Sequence, residues 1–342
     1  MVLKFFKKSF LFLLPLLIVI ACYFWTDPFK NLYQYKYYTS TYVMLPRGNV
    51  STKVYMKNYD KYKYNSFIFG SSRSCASTSK EWANYLPKGS VPYSFSAWAE
   101  KIDGIYKRIK LIDSLKRPLN NAFLVFDYNL TFMEPEQDLL TDHYLISKSS
   151  ILDYYTNDFL TYLKDPILIF TSVDYTLFHK RRSYMTDDRF VGIKESDIDP
   201  INNDWEVNSE FKFKRDSAKF WDLIINKNID VVINEKLHPR SAIQIESSKE
   251  ISVRQEKLLK AIFNIFKKHK TNYKIIISPL YNQVKFNHSD LQIIRKIFKA
   301  ENVFDYSGIN SITNNKYYYM ADGVHYRKAV GNRIFKDIYK GH

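Results

Sequence analysis

Residues 65–74 read Asn65-Ser66-Phe67-Ile68-Phe69-Gly70-Ser71-Ser72-Arg73-Ser74. An apolar run of strand length stops at a glycine, and serines follow where a helix begins. Such a run, without polar alternation, predicts a strand buried on both faces, as strands of parallel sheets are. The glycine permits a sharp turn, and a serine placed after it can project its hydroxyl over the sheet edge. In parallel α/β sheets, sites form beyond the carboxyl ends of the strands, so this turn is a candidate for chemistry. The plainer reading of the same serines is helix capping.

Working outward, the same alternation of strand and helix recurs. Residues 91–95 read as a second strand. Ile102, Tyr106, Ile109, Ile112 and Leu115 recur at helical spacing, and Ala122–Phe126 is another buried strand. Ser247-x-x-Glu250 has the form of a capping box, predicting a helix to about Lys268 with Leu258, Ile262, Ile265 and Phe266 on its apolar face. Lys274–Ser278 is a strand stopped by Pro279. Ser289-x-x-Gln292 opens a helix to about Ala300, Val303–Tyr306 is a short strand, and Val330–Tyr339 a terminal helix. The expected fold class is α/β, a parallel sheet with helices on both faces in three layers, preceded by one transmembrane helix.

That N-terminal helix follows from Ser9–Trp25, a 17-residue apolar stretch after Lys4, Lys7 and Lys8. Its length is near the lower limit for crossing the hydrocarbon core. The lysines predict a cytoplasmic amino terminus and an exported remainder. An uncleaved signal anchor is favoured, with Tyr23, Phe24 and Trp25 as an interfacial belt. A lipoprotein anchored at Cys22 is the alternative, because Val19-Ile20-Ala21-Cys22 loosely fits a lipobox. The expected compartment is the periplasmic or outer side of a bacterial cytoplasmic membrane. The domains expected are 1–26 cytoplasmic tail and transmembrane anchor, 27–60 connector, and a 61–342 α/β domain with an insertion or cap at about 130–245. Helix-like pieces in that cap lie around Leu152–Leu163 and Ala218–Ile225, and a polar loop near Asp187–Asn208.

Composition excludes several chemistries. The chain has 342 residues and only 9 glycines, with no G-x-G pattern, so it carries neither a dinucleotide-binding fingerprint nor a P-loop. Two cysteines, Cys22 and Cys75, exclude a disulfide scaffold and a cysteine-built metal cluster. His143, His179, His238, His269 and His288 are scattered without metal-ligand spacing, so no metal or other cofactor is expected. The net charge of +16 suits acidic partners, but basic residues are dispersed and no nucleic-acid motif is present, so none is expected to bind. The 28 tyrosines and 25 phenylalanines read mainly as compositional bias.

A second motif pairs with the first. Met320-Ala321-Asp322-Gly323-Val324-His325-Tyr326 puts a carboxylate and an imidazole within one turn, just before the last helix. An aspartate can fix the imidazole tautomer, leaving the other ring nitrogen to take a proton from a serine. Tyr317, Tyr318 and Tyr319 precede it and read as packing residues.

A Gly-x-Ser after the first strand, with Asp-x-x-His before the last helix, resembles the SGNH (GDSL-like) hydrolase superfamily. The resemblance covers about residues 60–130 and 270–340. It implies Ser72 as nucleophile, His325 as general base and Asp322 as orienting acid. With the N-terminal anchor, the chain is similar to the envelope branch of DltD-like and alginate O-acetylation proteins. That similarity implies acyl transfer or ester hydrolysis on a polysaccharide, beside a membrane-bound O-acyltransferase. The alternative is a non-catalytic carbohydrate-binding or assembly component of a polysaccharide-modification complex. The chain departs from the family at the oxyanion hole. The second block has no glycine, leaving the backbone of Ser96 or Ala97. In place of the third block stands Asp127-Tyr128-Asn129-Leu130, with Asn129 as candidate side-chain donor. Arg73 either binds an anionic substrate group or forms an ion pair at the helix start.

Overall fold

The computed structural model describes residues 2–40, 42–134, 143–147, 149–185, 198–205, 240–320 and 323–339. Its helices are α1 (Val2–Thr26), α2 (Arg47–Tyr62), α3 (Ser79–Trp82), α4 (Ile102–Ser114), α5 (Tyr144–Ser147), α6 (Ile151–Leu163), α7 (Pro166–Phe178), α8 (Val253–His269), α9 (His288–Phe298) and α10 (Lys328–Ile338). Its strands are β1 (Ser66–Gly70), β2 (Pro92–Ser96), β3 (Asn121–Phe126), β4 (Asn272–Ile277) and β5 (Val303–Asp305). The chain forms two compact units, one of Met1–Pro46 with Asp138–Glu195, the other of Arg47–Gln137 with Ser196–His342.

The second unit is α/β. Its five strands are all parallel, in the order β2-β1-β3-β4-β5. This is a doubly wound order, in which the direction of winding reverses between β1 and β3. Every residue of β1 and β3 is buried, as their unbroken apolar runs require. Side chains alternate between the two faces. Ile68, Phe123, Val125 and Ile276 point to one face, into a cluster with Trp82, Val330, Ile334 and Phe335 of α3 and α10. Phe67 and Tyr273, out of phase with them, meet the helices of the other face. The Phe67 ring lies 5.8 Å from Tyr55 of α2, and the Tyr273 ring 5.3 Å from Phe266 of α8. Helices therefore cover both faces. Many of the aromatics are core: Tyr55 meets Phe95 at 4.9 Å and Tyr64 meets Tyr93 at 4.8 Å.

The outer edge of β2 is closed by residues 198–205. Ser94 N–H donates to the Asn202 carbonyl at 3.0 Å, and Asn203 Nδ2 to the Ser94 carbonyl at 2.8 Å. This pairing blunts an edge strand that would otherwise offer an open ladder. Asp204 then accepts from Ser79 N–H, Ser79 Oγ and Lys80 N–H at the start of α3.

Three sequence expectations are corrected. Residues 47–62 form α2, not a connector. Its buried Tyr55 packs on Phe67 of β1 and Tyr93 of β2. The helix after residue 247 starts five residues later than expected, because Ser252 and Gln255 make the working capping box. Ser247 and Glu250 serve other partners: Ser247 Oγ accepts from Asn287 N–H, and Glu250 from Asn129 N–H. Leu259, not Leu258, therefore joins Ile262 and Phe266 on the buried face. Likewise Asn287 rather than Ser289 caps α9. The expected helix at Ala218–Ile225 and most of the expected loop at Asp187–Asn208 lie outside the described residues.

The first unit joins α1 to α6 and α7. The stretch Lys7–Thr26 of α1 is long and apolar enough to cross a membrane, and little of it is covered by protein. Residues after α1 are structured around Asp27. Its buried carboxylate accepts from the N–H groups of Asn31, Leu32 and Tyr33 and from the Tyr35 hydroxyl. Asn31 in turn donates to the buried Asp158 of α6. Tyr42 stacks on Tyr175 of α7 at 4.5 Å.

Candidate active site

β1 ends at Gly70 because no other residue fits there. A Cβ on Gly70 would lie 2.9 Å from Ser74 Cβ and 3.1 Å from the Val125 carbonyl oxygen. The chain then turns into a single 3-10 turn, Ser72–Ala76, with Ser71 as its N-cap. Ser71 Oγ accepts from Arg73 N–H at 3.2 Å and donates to Asp127 Oδ2 at 2.6 Å. Ser74 N–H donates to the Ser71 carbonyl at 3.0 Å. Ser72 N–H is therefore left outside the turn's own ladder, as first N–H groups of helices are. Ser72 itself is half-buried at the carboxyl edge of the sheet, beside the β1–β3 switch point.

The histidine arrives from the other end of the chain. Residues 318–320 pair with residues 325–327 through an antiparallel Tyr319–Tyr326 bridge. Met320 N–H donates to the His325 carbonyl and Arg327 N–H to the Tyr318 carbonyl, both at 2.8 Å. Tyr319 and Tyr326 root this segment in the core. The Tyr319 hydroxyl donates to the Pro279 carbonyl at 3.0 Å, and the Tyr326 hydroxyl lies 3.4 Å from Ser278 Oγ, both just past β4. Burial, reinforced by the nearby Asp127 charge, holds the Tyr326 hydroxyl neutral with a raised pKa.

These two segments bring Ser72 Oγ within 2.7 Å of His325 Nε2, across 253 residues of sequence. Asp322, the expected third member, lies outside the described residues.

Arg73 binds the two segments together. Its Nε donates to the Val324 carbonyl at 3.2 Å, and its Nη1 lies 3.3 Å from Asp127 Oδ2. Both side chains are buried. Of the two readings open from the sequence, the ion pair is the geometry observed, and the guanidinium faces a carboxylate of the protein. Asp127 was not singled out as a site residue from the sequence. It follows β3 immediately and carries both Ser71 and Arg73. A carboxylate straight after a buried strand run was the available signal.

The expected oxyanion donors are placed as follows. Ala97 N–H donates to the Gly70 carbonyl at 3.1 Å, because the β1–β2 pairing continues one residue past β2. It is thereby removed as a donor to substrate. Ser96 is buried, and its N–H shares the outer edge of β2 with that of Ser94, which faces Asn202. Asn129 is exposed with φ 58°, and its N–H donates to both oxygens of Glu250 at 2.8 and 3.0 Å. Burial raises the Glu250 pKa. Cys75, on the same turn as Ser72, is a half-buried free thiol. Tyr319 packs, as expected, with its ring edge-on to Tyr281 at 5.3 Å.

Comparison with protein-family models matches none, and comparison with curated proteins finds no similar sequence.

Proposed function

We propose that the protein is a membrane-anchored serine esterase or O-acyltransferase acting on a cell-envelope or exported polysaccharide. The observation that carries this reading is the 2.7 Å approach of Ser72 Oγ to His325 Nε2 at the carboxyl edge of a parallel sheet. With Nε2 unprotonated, the serine donates to it. Attack of Oγ on an ester carbonyl then sends the serine proton to Nε2. The leaving alkoxide takes that proton and departs, leaving an acyl ester on Ser72. A sugar hydroxyl or water then attacks the acyl carbon, giving its proton to Nε2, and Ser72 recovers a proton as the acyl group leaves. Asp322 would orient the imidazole.

Ser72 N–H, standing outside the turn's ladder, is the donor best placed to meet the developing oxyanion. α1 would hold the domain on the outer side of the cytoplasmic membrane, beside a membrane-bound O-acyltransferase that supplies acyl groups. Incubation with p-nitrophenyl acetate followed by acid quench tests the acyl-enzyme. Mass spectrometry should find an acetyl adduct on the peptide bearing Ser72. An adduct confined to other residues would contradict the reading.

One observation favours a second reading, a non-catalytic carbohydrate-binding or assembly component. The Ala97 N–H, one of the expected oxyanion donors, is held by the Gly70 carbonyl. Loss of one oxyanion donor removes about 3–4 kcal/mol of transition-state stabilisation. Retention of the Ser–His contact weighs against it, since binding alone has no need of that contact.

A further inference from the structure

Helix α7 is built inside out. Its buried residues are Leu168, Thr171 and Ser172, and Ser172 Oγ lies 2.9 Å from the Tyr162 hydroxyl of α6. Its uncovered stripe is Ile167, Phe170, Leu177 and Phe178, each more than half exposed. At 3.6 residues per turn these four fall within about 100° of one another. A helix on a water-facing surface carries the reverse pattern, and a contiguous apolar patch of this kind marks an interaction or membrane site. Asp174 shares the stripe, but both its oxygens lie 3.1 Å from the Arg182 guanidinium, so its charge is matched.

The occupant follows from what adjoins the patch. α7 packs against α1, whose apolar stretch Lys7–Thr26 is itself nearly bare. α1 also meets α6 at its carboxyl-terminal end, where the Tyr23 ring lies 5.3 Å from Phe159. Phe24 and Trp25 are half exposed there. The stripe on α7 therefore belongs to a helix packed on one that a bilayer would cover. Thirteen residues rise roughly 20 Å, too short to cross. Exposed Lys180 and Arg181 follow the helix after its C-cap His179, where they complement anionic headgroups.

We propose that α7 lies in the interface of the outer leaflet, its Ile167–Phe178 stripe in the acyl region, as a second membrane contact beside α1. This rests on the reading of α1 as an uncleaved anchor.

Spin labels on single cysteines test it, in full-length protein with Cys22→Ser and Cys75→Ala, in nanodiscs containing anionic lipid. Labels at Phe170 and Leu177 are compared with Leu13 in α1 and with exposed Lys116. Collision with oxygen should exceed collision with a water-soluble nickel chelate severalfold at 170 and 177, as at 13 and unlike 116. Leu13 in lipid with 170 and 177 open to nickel would overturn the α7 proposal alone. Leu13 open to nickel would overturn the anchor reading and this proposal with it. Low collision with both reagents at 170 and 177 would mean a second copy covers the face, and would also overturn it.

Discussion

Arg73 makes two contacts beyond its own turn, one to Asp127 and one to the Val324 carbonyl. Removing it strands a buried carboxylate. Arg73→Gln should cost about 3–5 kcal/mol in chemical denaturation, and combining it with Asp127→Asn should restore part of that loss. Full additivity of the two single losses would contradict the pairing. Asp204 makes a second residue-scale prediction. Burial pushes its pKa up to about 6, against the bonds from α3 that favour its charge. Its unfolded value is near 3.8. Between these values the folded state holds a proton that the unfolded state has lost, so stability falls as pH rises. That fall should be about 3 kcal/mol from below pH 4 to above pH 6, and Asp204→Asn should remove it. Ser72 and His325 were legible because each sits in a motif with its own local logic. The Arg73–Asp127 pair was not, since a partner 54 residues away is chosen by the sheet order.

At the scale of elements, α10 is seated directly on the turn that carries Ser72. A Cβ on Gly331 would lie 2.1 Å from the Ala76 carbonyl oxygen. Gly331→Ala must push the turn that carries Ser72 away from α10. It should destabilise the protein by about 1–3 kcal/mol and slow acylation of Ser72 further than the lost stability explains. Thermal melts together with acylation rates on the folded fraction check it. The strands were readable to within a residue or two because buried parallel strands are unbroken apolar runs. Helix starts were less so. Two Ser-x-x-Glu/Gln boxes stand in series before α8, and both satisfy the same local rule. Only packing decides that Ser252 caps the helix while Glu250 turns to Asn129. α2 was hidden by Tyr and Lys, whose burial depends on which ring meets which. α7 was missed because its buried side includes Thr171 and Ser172 while large apolar residues face outward, so its pattern does not mark a core face.

For the whole molecule, sequence separation is what the fold overcomes. The chain winds outward in both directions from β1 and β3, which leaves their carboxyl ends as a crevice. Into it come a turn from residue 72 and a fold-back from residue 325. The expectation of a cap at 130–245 merged two things the structure separates: Asp138–Glu195 groups with the N-terminal helix, and residues 198–205 close the sheet edge. That division was not legible, because polarity alone does not say which body a segment joins. The net charge of +16 favours solubility and long-range attraction to anions, and says nothing about the fold. The most direct test is fluorophosphonate labelling of full-length wild-type protein beside folded Ser72→Ala and His325→Ala. The wild type should label at Ser72, with the serine variant silent and the histidine variant slowed by orders of magnitude. A well-folded wild type that does not label, or that labels equally without Ser72, would contradict an activated serine at this site.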